Sequence, residues 1–194
     1  MAKYLIVYGT EEGQTAKISQ RIAEVITQEG HEVDVYDARK LPESLSIEGY
    51  AGVLVGSSIH MLQWSAAAHR FVCDNRARLD GVPSAFFSVS GAASSDDPKS
   101  KSIANLNSWV QKFFDTTGWH PKKTVNFAGS IAYTKYSFFT KLLQIAIAYS
   151  TNGPTDTSKD WEFTNWDNVT EFAKDFVQES QQAFSQDHAG LAAE

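Results

Sequence analysis

The feature that most constrains this chain is the alternation of short apolar runs with stretches of helical periodicity. The first run, Tyr4 to Tyr8, contains no charged residue, which is typical of a strand that is buried on both faces. From Thr15 onward the apolar residues recur at helical spacing, and Gly30 is placed to end that helix. Repeated units of this kind predict an α/β fold, with a doubly wound parallel sheet and helices on both faces.

Similar patterns continue along most of the chain. They predict four further strands and three further helices. The strands fall over residues 32–37, 52–56, 84–89 and 124–132, and the helices over 65–78, about 103–114 and from a capping box at Thr164 onward. Together with the first strand, this gives a sheet of five strands.

A stretch of roughly thirty residues, about 133–162, separates the last strand from the last helix, where a simple doubly wound domain needs only a short loop. Its apolar residues are too numerous for a solvated loop, so we expect it to cover its own domain, a ligand or a membrane surface. We expect one domain over residues 1–182, including this insertion, and a flexible tail over 183–194.

Composition and charge exclude several classes of protein. The formal net charge of −6 and the pI near 5.4 argue against nucleic-acid binding. The single cysteine, Cys73, allows no internal disulfide, and we interpret it as a small buried hydrophobe. The chain shows no metal-ligand spacing. Because the N-terminal apolar run is too short for a signal peptide and residues 142–149 are too few for a bilayer span, we expect a cytoplasmic protein.

The loop after the first strand carries the strongest functional signal. In an open parallel sheet, ligands bind at the carboxyl ends of the strands, here after Tyr8, Gly56 and Val89. Thr10 and Thr15 flank the start of the first helix, so their hydroxyls and the helix N–H groups would surround a phosphate without a cation. The sequence has neither the lysine of a nucleotide P-loop nor the three glycines of a dinucleotide-binding turn.

The residues Ile6-Val7-Tyr8-Gly9-Thr10-Glu11-Glu12-Gly13-Gln14-Thr15 resemble the FMN-phosphate signature of the flavodoxin family at every defined position. Further matching segments follow along the chain. They are Gly56 to Ile59, Pro83 to Val89, Trp119 to Pro121, Ala128-Gly129, Gly153 to Thr157 and Thr164 to Trp166. Together, these segments and the long insertion resemble the menaquinone-dependent protoporphyrinogen oxidases of bacteria, which are flavoenzymes of flavodoxin fold.

The resemblance implies a flavodoxin-like sheet of order 2-1-3-4-5 that binds one FMN. It implies an oxidoreductase of haem biosynthesis, with a porphyrinogen as substrate, a quinone as acceptor and peripheral membrane contact through residues 134–150 on the cytoplasmic face. The implied cofactor-binding residues are Thr10, Glu11, Glu12, Gly13, Gln14, Thr15, Ser57, Ser58, Ile59, His60, Trp64, Ser88, Ser90, Gly91 and Ala92. His60 is the candidate acid–base residue, and Trp64 stacks on the flavin or anchors the core. We expect the side chains of Glu11 and Glu12 to point to solvent.

Two other functions fit the same pattern. A long-chain flavodoxin would carry electrons between proteins, and the acidic charge of this chain suits docking on basic partners. A quinone reductase would instead take electrons from a nicotinamide nucleotide. The insertion discriminates between these functions, because a carrier would pack it tightly and an oxidase would use it as a platform.

Overall fold

The computed structural model describes residues 1–60, 63–95, 97–131, 133–135, 141–142, 145 and 155–191. The strands of its main sheet are β1 (Lys3–Gly9), β2 (Glu32–Asp37), β3 (Gly52–His60), β4 (Gln63–Trp64), β5 (Ser84–Ser90) and β6 (Lys123–Ala128). Strands β2, β1, β3, β5 and β6 are parallel neighbours in that order, and β4 pairs antiparallel with β3. Since β4 is a two-residue hairpin strand, the predicted order of the five parallel strands is confirmed.

Helices cover both faces of the sheet, as the alternating pattern predicts. They are α1 (Gln14–Gln28), α2 (Ala66–Asp80), α3 (Lys101–Thr117) and α4 (Trp166–Leu191). Ile6 faces the core formed with α1 and α4, whereas its neighbour Leu5 faces the core formed with α2 and α3. Both side chains are completely buried, and burial of one such side chain contributes about 1.5–3 kcal/mol.

Strand β3 is longer than the sequence predicts. The pattern ends this strand at Gly56, but the structure continues it to His60 because β3 has β4 as a third partner, besides β1 and β5. Ile59 pairs with Trp64, and His60 pairs with Gln63, in an antiparallel hairpin. The residues expected in a loop after the strand, from Ser57 to His60, therefore lie on the strand itself.

The predicted strand over residues 124–132 is divided in two at Gly129. Strand β6 ends at Ala128, and the N–H of Gly129 then donates to the carbonyl of Ser90. Beyond this point β7 (Ser130–Ile131) pairs antiparallel with β8 (Trp161–Glu162). These two short strands form the stem of the insertion, and residues 136–140, 143–144 and 146–154 lie outside the part that the structure describes.

The ends of the helices lie close to the capping residues and glycines that the sequence indicates. Gly30, just after α1, has a φ of 85°, which glycine adopts without strain. Asn165, rather than Thr164, caps α4, because its side chain accepts from the N–H groups of Asp167 and Asn168. Helix α4 continues to Leu191, so residues 182–191 are helical where the sequence predicts a frayed tail. The flexibility of this end and the domain limits stay predictions.

Candidate functional site

The loop between β1 and α1 is built to present a bare helix N-terminus. Gly13, the N-cap of α1, has a φ of 95°, a conformation that residues with a side chain adopt only under strain. Its N–H donates to the hydroxyl of Thr10 over 2.9 Å, which closes the loop. No side chain caps the helix, and its first turn carries no acidic residue. The positive end of the helix dipole is therefore available to an anion.

Buried polar atoms without partners cluster around this loop and the two neighbouring strand ends. Within the described residues, six buried side-chain oxygen or nitrogen atoms have no hydrogen-bond partner. Four of them belong to residues at the start of α1 and toward the ends of β3 and β5, namely Gln14, Thr15, Ser58 and Ser90. An unpaired buried polar group is costly, so four of them at one edge of the sheet indicate a place for a polar ligand.

The ends of β3 and β5 supply two walls of this site. Ser57 is fully buried, and its hydroxyl donates to the carbonyl of Ser58 over 3.3 Å. On β5, the hydroxyl of Ser88 donates to Asn126 Oδ1 over 2.6 Å, a contact that the sequence did not indicate. Ser88 is therefore committed to the neighbouring strand β6, which leaves Ser90 as the β5 hydroxyl open to a ligand.

The remaining expected residues on these walls differ in exposure. Gly91 is exposed at the start of a short 3-10 turn, and a Cβ there would meet no atom within 4 Å. Ala92 and Ile59 are partly buried and pack against the core formed with α2 and α3. Backbone and small side chains thus line the β5 wall.

Trp64 lies in an aromatic cluster of the core. Its ring meets Phe86 and Phe113 edge to face, at centroid distances of 5.7 Å and 5.0 Å. Such pairs stabilise a fold beyond simple burial, by about 0.5–1.5 kcal/mol. The contacts are those of the core anchor that the sequence also allowed, and stacking of Trp64 on a flavin stays a prediction.

The two glutamates of the loop point in different directions. Glu11 is exposed, as the sequence predicts. The expectation for Glu12 is wrong, because its side chain is only 21% exposed and its carboxylate lies 3.2 Å from Nδ1 of His60. The Glu12 carboxylate therefore lies against the His60 ring and does not extend into solvent. The sequence did not indicate this contact, since the two residues lie on different elements.

A second set of contacts joins the start of α1 to the stem of the insertion. The amide of Gln14 donates to Thr164 Oγ1 over 2.8 Å, and Thr164 donates to the carbonyl of Ala128 over 2.8 Å. Glu162, on β8, accepts from Lys17 of α1 over 3.3 Å and from the Trp166 indole over 2.9 Å. We call these contacts the stem latch. The latch places Glu162 and Thr164 beside the start of α1 and the loop of residues 10–13 that precedes it, which we call the phosphate loop.

The latch has a measurable pH signature. Burial raises the pKa of Glu162, but hydrogen bonds from Trp166 and Lys17 outweigh this effect and hold the pKa below its ordinary value. Because Glu162 is 38% exposed, solvent screens its ion pair, and Glu162→Gln is expected to lower the free energy of unfolding at pH 7 by at most about 1 kcal/mol. A group whose folded pKa is lowered contributes stability only while ionised. The difference is thus expected to shrink as the pH falls below about 4.3, the ordinary pKa of a glutamate, and to vanish once the pH is below the lowered folded pKa.

Urea unfolding of wild type and Glu162→Gln over a series of pH values measures this signature. Glu171→Gln is a matched control, because Glu171 is exposed on α4 beyond its first turn and takes no part in the latch. An equal difference in unfolding free energy at neutral and at acidic pH would show that the Glu162 charge does not stabilise the stem.

An open cleft of about 490 Å³ lies on the α2 side of the phosphate loop. Its lining includes Arg39, Arg70 and Phe71, and Glu11 is the only expected cofactor-binding residue among its described walls.

Cys73, on helix α2, is exposed rather than buried as the sequence suggested, and its Sγ lies 3.7 Å from Nδ1 of His69. Among the residues described, no cluster of three or more His, Cys, Asp or Glu could hold a metal ion.

Comparison with known proteins identifies the family. Residues 5–158 match the model of the flavodoxin domain. The chain belongs to the flavodoxin domain family. Oxidised flavodoxin 1 from Bacillus cereus superposes with a TM-score of 0.53 at 17% identity, covering 91% of this chain and 98% of that one. Flavodoxin 2 from Bacillus cereus gives a TM-score of 0.52 at 16% identity, covering 92% and 99%. These two likenesses confirm the flavodoxin fold.

Two curated relatives extend the similarity beyond the fold. The protoporphyrinogen IX dehydrogenase (quinone) of Escherichia coli K12 is 31% identical over 175 residues, which cover 90% of this chain and 94% of that protein. The protein of the same name from Leishmania major is 35% identical over 176 residues, covering 90% of this chain and 74% of that protein.

The residues of this flavodoxin domain fit FMN, the cofactor expected for the family. The uncapped start of α1 suits a terminal phosphate, and the buried Thr15 hydroxyl has a hydrogen to donate to it. The buried Ser58 and Ser90 hydroxyls lie on the two strand ends where the rest of the cofactor would pass. The individual residue assignments stay predictions.

Proposed function

We propose that this chain is an FMN-dependent enzyme that oxidises protoporphyrinogen IX to protoporphyrin IX and passes the electrons to a quinone, a step of haem biosynthesis. The observation that carries this proposal is its similarity to the two protoporphyrinogen IX dehydrogenases, which covers 90% of the chain. Residues 136–154, which lie between β7 and β8 in the sequence, fall within the insertion that the sequence predicts.

FMN would supply the two-electron chemistry, and the protein would supply position and electrostatics. The start of α1, with Thr10, Gly13 and Thr15, would hold the phosphate. The ends of β3 and β5 would hold the ring between Ser58 and Ser90. The stem latch would fix the insertion close to the cofactor, because Gln14 and Lys17 of α1 contact Thr164 and Glu162.

The insertion is the expected contact for substrate, quinone and membrane. Leu142 is 50% exposed, and apart from Met1 it is the only exposed large hydrophobic side chain within the described residues. We infer peripheral membrane contact through residues 134–150, most of which lie outside the described part of the chain. Among the residues that the structure describes, no helix is long and apolar enough to cross a bilayer.

Anaerobic reduction of the purified FMN-loaded protein tests the proposal. We expect protoporphyrinogen to bleach the flavin absorbance and a soluble quinone to restore it. Porphyrin fluorescence is expected to follow after three such cycles, because the full conversion takes six electrons and one flavin accepts two. NADPH serves as the competing donor. If NADPH reduces the flavin and protoporphyrinogen does not, the chain is a quinone reductase. If neither donor reacts but a reduced protein partner does, it is an electron carrier.

A further inference from the structure

The contact between Glu12 and His60 joins two parts of the cofactor site. Glu12 lies in the phosphate loop and His60 at the end of β3, with Glu12 Oε1 3.2 Å from His60 Nδ1. The side chains are 21% and 33% exposed, respectively, so the pair is partly shielded but open to one side. A carboxylate that holds one nitrogen of a histidine is the arrangement by which many enzymes orient an acid–base group.

The position of Glu12 favours one tautomer of His60. An ionised carboxylate only accepts hydrogen bonds, so its place beside Nδ1 favours a neutral ring with the hydrogen on Nδ1 and the lone pair on Nε2. Within the described residues, Nε2 of His60 has no hydrogen-bond partner. By contrast, His31 and His69 have contacts at both ring nitrogens, to Ala2 and Gln181 in one case and to Cys73 and Thr116 in the other.

We propose that Nε2 of His60 accepts the proton that leaves the substrate, with Glu12 as the positioning residue. The proposal rests on the proposed function and names an acid–base group for it. In the first two-electron oxidation of a porphyrinogen, one methylene C–H bond would break and its hydrogen would leave as hydride, with bound FMN as the two-electron acceptor. The oxidised ring system then loses one pyrrole N–H proton. That N–H bond breaks as a new N–H bond forms at Nε2 of His60.

The charges around the pair favour this role. Protonation of Nε2 turns His60 into a cation, and the Glu12 carboxylate beside it stabilises that cation. A phosphate bound at the start of α1 would act in the same direction. When quinone takes two electrons and two protons to form the quinol, the proton on His60 can be returned. Glu12 therefore has two separate uses, since its backbone belongs to the phosphate loop and its side chain holds the base.

His60→Gln in the FMN-loaded protein tests this assignment. General acid–base catalysis typically contributes a factor of about 10²–10⁴, and kcat for protoporphyrinogen is expected to fall within that range. Added imidazole is expected to restore part of the lost rate. The rate is measured at saturating FMN, so that a change in FMN affinity does not enter kcat. His120→Gln is the matched control, since His120 is exposed and contacts Phe114 outside the site.

The tautomer of His60 gives a readout that does not depend on activity. ¹⁵N NMR of the wild-type holoprotein is expected to show the neutral ring protonated at Nδ1. In Glu12→Gln the amide can donate to Nδ1, so the other tautomer is expected to gain population while kcat falls. The Nε2-protonated form in wild type would overturn the proposal, even if His60→Gln does not fold.

The kinetic outcomes separate the two proposals. If wild type oxidises protoporphyrinogen and His60→Gln does so at the same rate, the proposed function stands and the role of His60 is wrong. If His60→Gln loses FMN, the pair is structural and the proton acceptor lies elsewhere. If wild type itself does not oxidise protoporphyrinogen, both proposals fall.

Discussion

Replacing Thr15 by valine is expected to raise the dissociation constant of FMN by about 10- to 150-fold, because a hydrogen bond to a charged group contributes about 1.5–3 kcal/mol. Thr15 is 1% exposed in the first turn of α1, and its hydroxyl has no partner among the described residues. Valine keeps the shape of threonine. The unfolding free energy of the apoprotein is therefore expected to stay constant or to rise, because an unpaired buried hydroxyl is removed.

Titration of apoprotein with FMN and urea unfolding of the apoprotein measure the two effects of opposite sign. Thr27→Val is the matched control on the same helix, since the Thr27 hydroxyl donates to the carbonyl of Ala23 over 2.9 Å. It is expected to leave FMN affinity unchanged. An unchanged FMN affinity in Thr15→Val, or a destabilised apoprotein, would mean that the Thr15 hydroxyl serves the fold and not the phosphate.

The strands and the core could be read from the sequence because both depend on local periodicity, whereas the strand order followed from the resemblance to the flavodoxin family. The run from Tyr4 to Tyr8 alternates between the two cores, with Leu5 on one side and Ile6 on the other, so a strand covered on both faces needs apolar residues at every position. The apolar positions of α4, such as Val169 and Phe176, are likewise buried at helical spacing. Local pattern and tertiary packing agree in these elements.

The contacts that complete the site could not be read in this way. Glu12 meets His60, Ser88 meets Asn126, and Glu162 meets Lys17, and each pair joins elements that are distant along the chain. No periodicity encodes such a pair, because it depends on how the elements dock. The hairpin of β3 and β4 is a similar case, since the continuation of β3 to His60 depends on pairing with a two-residue strand.

The stem latch brings two functional regions into contact. Gln14 has a buried oxygen without a partner in the expected FMN site, and its amide nitrogen binds Thr164 beyond the insertion. Thr164 in turn reaches the carbonyl of Ala128 at the end of β6. A ligand on the insertion and a phosphate on the loop would therefore share a short path of hydrogen bonds. A variant without the insertion must therefore retain these hydrogen bonds, so that a loss of turnover can be assigned to the insertion itself.

Replacing residues 136–154 by a short Gly/Ser linker is expected to leave FMN affinity unchanged and to abolish protoporphyrinogen oxidation with quinone. The stem is retained, because the N–H and hydroxyl of Thr134 donate to Asp160 over 2.9 Å and 2.8 Å and β7 still pairs with β8. The phosphate loop and the latch lie outside the deleted residues. The variant is thus expected to be yellow and reducible by dithionite, which measures cofactor loading independently of turnover.

Point variants at Leu142 test whether the insertion binds substrate or only packs on its own domain. Leu142→Ser is expected to slow turnover and to change the unfolding free energy by less than about 0.5 kcal/mol, because the side chain is half exposed. Leu142→Met, which stays apolar, is expected to keep wild-type turnover.

A deletion variant that loses FMN or unfolds would show that the insertion covers its own domain. A deletion variant with full turnover would instead remove the physical support for an oxidase platform. Substrate and quinone would then bind elsewhere on the flavodoxin domain, because the oxidation persists without the insertion.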